Sequence, residues 1–426
     1  MPVRKLCAGF MLYLVLMSWC QAASEPVITS IRFEGNERTR ESVLRREMYI
    51  REGDELDYGK VEKSIQGIRD LGLFKKVGYY LEQNQPAAVD ETSSIELVIT
   101  LEEKIYTLII PRMRVQDNQT RIGVNARLDN LFGLDHSMRY IVERKGAVEG
   151  VDEYRQRLSY YYPNVNGSRY SVNFSAVDEN TITEQADNSL ENSLNKSFAL
   201  VLHKWLNPGR KKAGDYISAG VSHTQRTHET LDGVYIDETL ANAMVFEYGY
   251  RKVHEMDNMR DGRHYGYSVE WSNEAFGSDA EYFKNLLFYR SYYTFDSRPG
   301  DNLNVQLQLG YSSNDILGDE AFTLDFRNDL RGYERDRFTG NSMVLLNLEY
   351  MAPSSFSRKL RYVGFVDIGN TYDSEKRFQP DGLNAGLGVG IRWKIPSLVK
   401  VDLRIDLGYG IADENYQTTV GTHYAF

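Results

Sequence analysis

The stretch VKVDLRIDLGY (residues 399–409) decides the fold class of this chain. Val401, Leu403, Ile405, Leu407 and Tyr409 fall on one phase of a two-residue period, and Asp402, Arg404, Asp406 and Gly408 fall on the other. Successive side chains of a β-strand point to opposite faces, so this segment has one face suited to hydrocarbon and one suited to water. Two upstream segments repeat the design. In GLGVGIRW, Leu387, Val389, Ile391 and Trp393 lie opposite three glycines and Arg392. In RYVGFVDIGNTY, Tyr362, Val366 and Ile368 lie opposite Arg361, Phe365, Asp367 and Gly369. A soluble sandwich or barrel with one wet face would show the same alternation. Charged rows on neighbouring strands and 30 tyrosines against 18 phenylalanines favour a transmembrane β-barrel instead.

Working outward, the alternation predicts sixteen strands from residue 105 onward, near 106–115, 121–128, 136–144, 154–162, 169–177, 196–204, 215–224, 242–250, 264–273, 283–292, 303–311, 343–351, 360–369, 385–395, 399–409 and 418–426. Connections after odd-numbered strands are often long and polar, as in DENTITEQADNSLENSLN and HTQRTHETLDGVYIDETLAN, whereas most others are short turns such as PNVNGS, SRPGDN and PSL. Long loops on one side and short turns on the other are the habit of outer-membrane barrels. The longest connection contains DLRGYERDRFTGN (residues 329–341), an Arg-Gly-aromatic triplet among further charges where a tight turn would suffice.

Residues 25–104 have a different rhythm. Ile28, Ile31 and Phe33 suggest a strand closed by Gly35 and Asn36, followed by a short helix over about 39–48. Asp57 is placed to cap a second helix, in which Tyr58, Val61, Ile65 and Ile68 recur at helical spacing before Gly72. Val77, Tyr79 and Leu81 alternate, as do Ile95, Leu97, Ile99 and Leu101, giving the order β-α-α-β-β. A strand over residues 76–81 at the edge of that sheet would be able to accept an extended client by β-augmentation, unless the segment EQNQPAAVDETSS covers it.

The N-terminus carries Arg4 and Lys5, an apolar run from Leu6 to Trp19, and small residues at Ala22 and Ala23, the pattern of a signal peptide over residues 1–22. A lipoprotein signal ending at Cys20 is the rival, and the bulk of Trp19 opposes it. Cys7 and Cys20 would leave with this segment, so the mature chain is expected to have no disulfide or thiolate site. Losing Arg4 and Lys5, with no acid in the segment, takes the formal charge from −10 to −12, which disfavours nucleic acid as a partner.

A single DLGLFKKV unit (residues 70–77), then LRGYERDRFTGNSMVLLNLEY, GFVDIGNTYD and a terminal Phe426, in that order, resemble the outer-membrane insertase and two-partner-secretion transporter superfamily. Residues 25–104 resemble its polypeptide-transport-associated (POTRA) domain, and residues 105–426 its barrel. The resemblance implies a small α+β periplasmic domain followed by a 16-stranded antiparallel transmembrane barrel in the outer membrane of a Gram-negative cell. It implies that the loop before the twelfth strand folds into the lumen with Arg331, Gly332 and Tyr333 at its tip. Asp367, within the Phe365, Asp367 and Gly369 motif, is then the wall partner of Arg331, and Glu349 is a second candidate. Physically, an arginine in a partly dehydrated lumen needs a carboxylate that matches its fork of donors. Tyr424 and Phe426 would form the C-terminal assembly signal on the closing strand, and the seam between that strand and the first would be where the barrel opens. A solvated loop with an incidental glycine, and a last strand that merely packs, are the plainer alternatives.

No catalytic role is expected. Histidines 136, 203, 223, 228, 254, 264 and 423 form no HExxH pair or zinc-like spacing, and no nucleophile elbow or Walker loop is present. His223 and His228, read as flanking a loop, offer at most an adventitious metal contact. GLGVG mimics a dinucleotide fingerprint but lies in a strand, where small lumen-facing residues explain it. No cofactor or metal is expected. The resemblance implies assembly or insertion of outer-membrane proteins, with unfolded outer-membrane or secreted polypeptides, lipid and accessory lipoproteins as partners. Secretion of a partner polypeptide is the alternative, and a passive porin or structural barrel the second. The single POTRA-like unit departs from the family's main insertases, which carry several, and from its secretion members, which carry two.

Overall fold

The computed structural model describes residues 26–84, 94–116, 119–146, 151–184, 190–207, 213–256, 259–319, 321–324, 329–334, 337–357, 359–373, 382–399 and 401–422. The expected signal peptide over 1–22, the segment 85–93, and Tyr424 and Phe426 lie outside them.

The N-terminal unit runs β1 (Val27–Glu34), α1 (Glu41–Arg46), α2 (Tyr58–Asp70), β2 (Phe74–Asn84) and β3 (Ser94–Glu103). The sheet order is β1-β3-β2, with β1 parallel and β2 antiparallel to the central β3. A parallel pair requires a crossover, and the two helices supply it. Asp57 accepts the Lys60 amide at 3.1 Å and starts α2, while Gly72, at φ +73°, donates to Arg69 O and ends it. Val61, Ile65 and Ile68 pack with Ile28, Leu97 and Ile99 in a dry core. Helix α1 is shorter than the expected 39–48, because the Thr39 hydroxyl bonds Tyr106 and Asn130 instead of capping it. Strand β2 lies at the sheet edge, as expected of residues 76–81.

The barrel strands are β4 (Thr107–Gln116), β5 (Gln119–Leu131), β6 (His136–Lys145), β7 (Tyr154–Tyr162), β8 (Tyr170–Glu184), β9 (Leu190–Trp205), β10 (Gly214–Thr230), β11 (Tyr235–Glu255), β12 (Arg260–Ser272), β13 (Tyr282–Thr294) and β14 (Asn302–Ser312). Two short strands, β15 (Phe322–Thr323) and β16 (Thr339–Gly340), lie within the long loop, followed by β17 (Ser342–Pro353), β18 (Leu360–Tyr372), β19 (Asn384–Lys394), β20 (Asp402–Gly410) and β21 (Asn415–Gly421). Apart from β15 and β16, these form one sixteen-stranded antiparallel sheet in chain order. Outward positions expose apolar side chains, among them Leu200, Phe246, Leu287, Val389 and Ile405, while the alternate, lumen-facing positions carry most of the polar residues and glycines, with apolar exceptions such as Met343, Leu345 and Phe365. No helix among the described residues is long and apolar enough to cross a membrane; the strands provide the crossing.

Among the described residues no ladder joins β21 to β4. At the periplasmic rim Ile105, just before β4, bridges Leu398 in the β19–β20 turn and donates to Ser397 O at 2.8 Å.

Three sequence expectations change. The polar stretches 178–195 and 223–242 are largely strand: β8 to β9 and β10 to β11 continue as paired ribbons, and the second turns only between Thr230 and Tyr235. Ladder hydrogen bonds need no apolar side chains, so a ribbon with both faces in water keeps its pairing without the hydrophobic alternation that reveals strands inside the bilayer. As a result, His223 and His228 do not flank a loop. Both lie within β10 on opposite faces, His223 bonding Asn242 Oδ1 at 2.7 Å, so they do not form a shared metal site. The last described strand also begins earlier than 418, at Asn415.

The N-terminal domain is docked across the periplasmic mouth. On one side Arg40 N donates to Gly133 O and Arg46 pairs with Asp135 at the β5–β6 turn. On the other, Asp70 at the end of α2 receives His254 Nδ1 and Glu255 N, each at 2.9 Å. Tyr106, Leu134 and Val399 extend the domain's apolar core onto the barrel rim.

Candidate functional site

The long loop between β14 and β17 folds inward. Its small β15–β16 ladder is tied to the wall by Lys284 Nζ to Ala321 O at 2.7 Å and Thr371 Oγ1 to Thr339 O at 2.8 Å. Phe322, Leu324, Leu330, Tyr333 and Phe338 then pack against Met343 and Leu345 on the lumen phase of β17. This apolar seat explains how a charged loop remains inside the barrel: its charges cluster at the tip while its flanks bury carbon.

At that tip Arg331 is 1% exposed. Its Nε and Nη2 donate to the two oxygens of Asp367 at 2.6 and 2.7 Å, a bidentate fork. Nη1 reaches Glu349 Oε1 at 2.6 Å and Asp406 Oδ2 at 3.3 Å, and the backbone amide adds a 3.2 Å bond to Asp367. The Phe365 ring lies 3.6 Å beneath the guanidinium carbon, a cation–π contact. Asn347 Nδ2 holds Asp367 Oδ1 at 2.8 Å. Arg392 bonds both Glu349 and Asp406, and Arg404 lies 3.4 Å from Asp406. The cluster thus holds three guanidiniums and three carboxylates, all nearly fully buried. Equal numbers are what a dehydrated site requires, since an uncompensated buried charge costs several kcal/mol.

Glycines shape the seat. Gly332 has φ +98°, and a Cβ on it would come within 2.6 Å of Gly410 N. Gly386, Gly408 and Gly410 leave room on the wall for the Arg331–Tyr333 backbone. The glycines of GLGVG are accordingly lumen-facing contacts for the loop and for Phe365 and Asp406. Tyr333 Oη donates to Ala385 O at 2.8 Å and accepts from Ala412 N at 3.3 Å. Gly369 lets β17 and Leu324 approach β18.

The structure therefore places Asp367 and Glu349 on Arg331 together. Asp406, Arg392, Arg404 and Asn347 belong to the same cluster but carry no family motif. The available signal was their inward phase on β17, β19 and β20, which marks a lumen position without saying which partner it meets. Among the described residues no group of His, Cys, Asp and Glu could hold a metal ion.

A sixteen-stranded membrane barrel with an inward-folded arginine loop, preceded by a soluble α+β domain at its periplasmic mouth, defines the class of protein. Residues 130–425 match the family model described as Omp85 superfamily domain, and residues 26–104 match that described as surface antigen variable number repeat, the POTRA family. The chain belongs to the Omp85 superfamily, as an outer-membrane β-barrel protein whose POTRA domain lies in the periplasm. It is 23% identical over 419 residues to the outer membrane protein assembly factor BamA of Nitratidesulfovibrio vulgaris, covering 90% of this chain and 48% of that protein. It is 24% identical over 424 residues to BamA of Neorickettsia risticii, covering 91% and 53%. The chain spans about half the length of these curated relatives. CdiB from Acinetobacter baumannii shares the fold at TM-score 0.62 and 12% identity, with 93% of this chain and 73% of that one covered. BamA from Haemophilus ducreyi lacking POTRA domains 1–3 does so at 0.50 and 17%, with 93% and 83% covered.

Proposed function

We propose that this protein assembles or inserts outer-membrane proteins: the POTRA domain receives an unfolded client and the barrel passes it into the membrane through its seam or lumen. The observation that carries this reading is the pairing pattern of the sheet, in which the sixteen barrel strands are laddered in chain order, β14 pairing with β17 across the long loop, but the two end strands are not laddered to each other among the described residues. Such a junction opens at a lower cost than any interior ladder, and it leaves backbone donors and acceptors that an incoming strand would satisfy. A passive porin has no use for a lumen loop anchored by a six-charge cluster or for a domain docked across the mouth. The edge position of β2 supports capture by strand addition, a mode that tolerates many client sequences because the backbone makes the contacts. Likeness to CdiB favours a second reading, secretion of a partner polypeptide.

The test is quantitative proteomics of the outer membrane and the culture medium after depletion. The protein is then resupplied as wild type, as an Arg331→Ala copy and as a copy lacking residues 26–104. Loss of one or several barrels from the membrane, rescued only by wild type, supports assembly. Loss of a particular protein from the medium with the membrane unchanged makes it a secretion transporter. Full rescue by the copy lacking the POTRA domain would refute polypeptide handling through that domain and return the porin reading.

A further inference from the structure

The wall opposite the buried cluster has a different charge balance. On β4–β7 the outward phase exposes Ile109, Ile122, Val124 and Tyr140, while the lumen phase is rich in arginine. Arg127 and Arg139 are direct cross-strand partners, an arrangement that repels. Arg157 sits one strand further on, opposite Ile141, and therefore diagonal to Arg139. Several cations of this wall have carboxylate partners: Arg127 with Asp129 at 2.8 Å, Arg112 with Glu143 at 3.1 Å, Lys145 with Glu153 at 2.6 Å, and Arg155 with Glu179.

Arg139 and Arg157 do not share that pairing. Among the described residues Arg139 donates only to the neutral Asn125 amide oxygen, at 3.1 Å, and its electrostatic neighbours are Arg112, Arg127 and Arg157. Arg157 is exposed to the lumen and makes no ion pair or hydrogen bond among the described residues. A cavity of about 410 Å³ beneath Leu71 and Leu73 of the POTRA domain reaches Arg139; Arg127 and Arg260 line it together with Asp129, Asp135 and Asp402, so its own charges are near balance and the unpaired excess lies at Arg139 and, outside the cavity lining, at Arg157.

We propose that the lumenal wall of β5–β7, centred on Arg139 and Arg157, binds acidic segments of an extended polypeptide passing from the periplasmic mouth along the first strands of the barrel. This deepens the reading of the protein as a polypeptide handler and rests on it. Diagonal neighbours on adjacent strands are about 7–8 Å apart, close to the ~6.7 Å between alternate side chains of an extended chain. Two carboxylates two residues apart would therefore meet both guanidiniums at once. An anionic lipid is a poor occupant, because the arginines face the lumen and its acyl chains would have to leave the bilayer to reach them. In the balanced cluster on β17–β20 each of the three guanidiniums already faces a carboxylate, so the track lies on the side of β4, next to the seam.

The experiment uses the full-length purified protein in detergent and fluorescence anisotropy of a short labelled peptide with aspartate at alternate positions, against the same peptide with asparagine. Binding at low salt is expected to be about tenfold tighter for the aspartate peptide, a difference of about 1.4 kcal/mol, and salt should erode it. In the Arg139→Gln, Arg157→Gln double variant the preference should fall to within about twofold, while Arg139→Lys, Arg157→Lys should retain most of it. Heat unfolding of the barrel serves as the folding control. Equal binding of both peptides would overturn the acidic track and leave polypeptide handling intact. Failure of both to bind would overturn the track as well, with the depletion proteomics deciding the broader reading separately. Displacement of the aspartate peptide by inorganic phosphate at equal carboxylate-equivalent concentration would assign the wall to small anions and also refute the proposal.

Discussion

Truncating Arg331 to alanine is expected to destabilise the barrel by about 3–5 kcal/mol, the range for removing one member of a buried ion pair. The guanidinium is 1% exposed and makes four side-chain bonds to carboxylates, two to Asp367 and one each to Glu349 and Asp406. Charge-assisted bonds contribute about 1.5–3 kcal/mol each, but these share acceptors with Arg392 and do not add. The pair-breaking range is therefore the better guide. After truncation three buried carboxylates face only Arg392 and Arg404. Removing Asp367 as well restores the balance at two against two, so Arg331→Ala with Asp367→Ala should be less destabilised than the sum of the single variants, by roughly 1–3 kcal/mol of coupling. Arg331→Lys should lie between, since a point charge cannot reproduce the fork on Asp367. The assay is urea or heat unfolding of the purified barrel, followed by the electrophoretic mobility of the folded form. Arg337, half-exposed and paired with Asp413, is the control and should change stability by no more than about 0.5 kcal/mol when truncated. Arg331→Ala matching Arg337→Ala, or strict additivity with Asp367→Ala, would refute the argument.

Other consequences can be measured in the same protein. Gly332→Ala places a Cβ against β20 at a positive φ, and should displace the loop tip and raise single-channel conductance in planar bilayers; an unchanged conductance would mean that the tip does not limit the lumen. Asp70→Ala removes the acceptor of both His254 and Glu255 N, so the cross-link yield between cysteines introduced at Gln66 and Glu255 should fall several-fold. Asp57→Ala should weaken α2 by about 1 kcal/mol, seen as faster hydrogen exchange of its first-turn amides. In the POTRA domain the Ile31 amide and then Arg45 hold the Glu52 carboxyl below its ordinary pKa of 4.5. A depressed folded-state value gives stability that is present above the ordinary pKa and lost as pH falls through the depressed one. Glu52→Gln should therefore flatten the acid limb of the domain's unfolding, and an unaltered limb would assign acid sensitivity to other carboxylates.

Sequence by itself determined the strands inside the bilayer, because hydrocarbon on one side and water on the other force a two-residue alternation that residues 399–409 show without help from neighbours. It also determined α2, whose cap at Asp57, apolar spacing and closing Gly72 are all local signals. Residue order alone brought Arg331 to Asp367, through motifs whose meaning came from resemblance; their meeting in space rests on an inward fold of the loop that no local pattern encodes.

Tertiary structure decided the rest. Above the membrane, polar ribbons such as 223–242 pair through backbone groups, so their strand character became visible only when β10 met β11. Asp406 and Arg392 read as two more inward charges until the curl of the sheet placed them within reach of one guanidinium. The excess positive charge near Arg139 and Arg157 also emerged only from register, since a like-charge pair on adjacent strands is invisible until Arg127 and Arg139 are known to stand opposite each other. Alternation is a property of one strand and its two solvents, whereas charge balance is a property of a closed surface, and only the folded barrel brings that surface together.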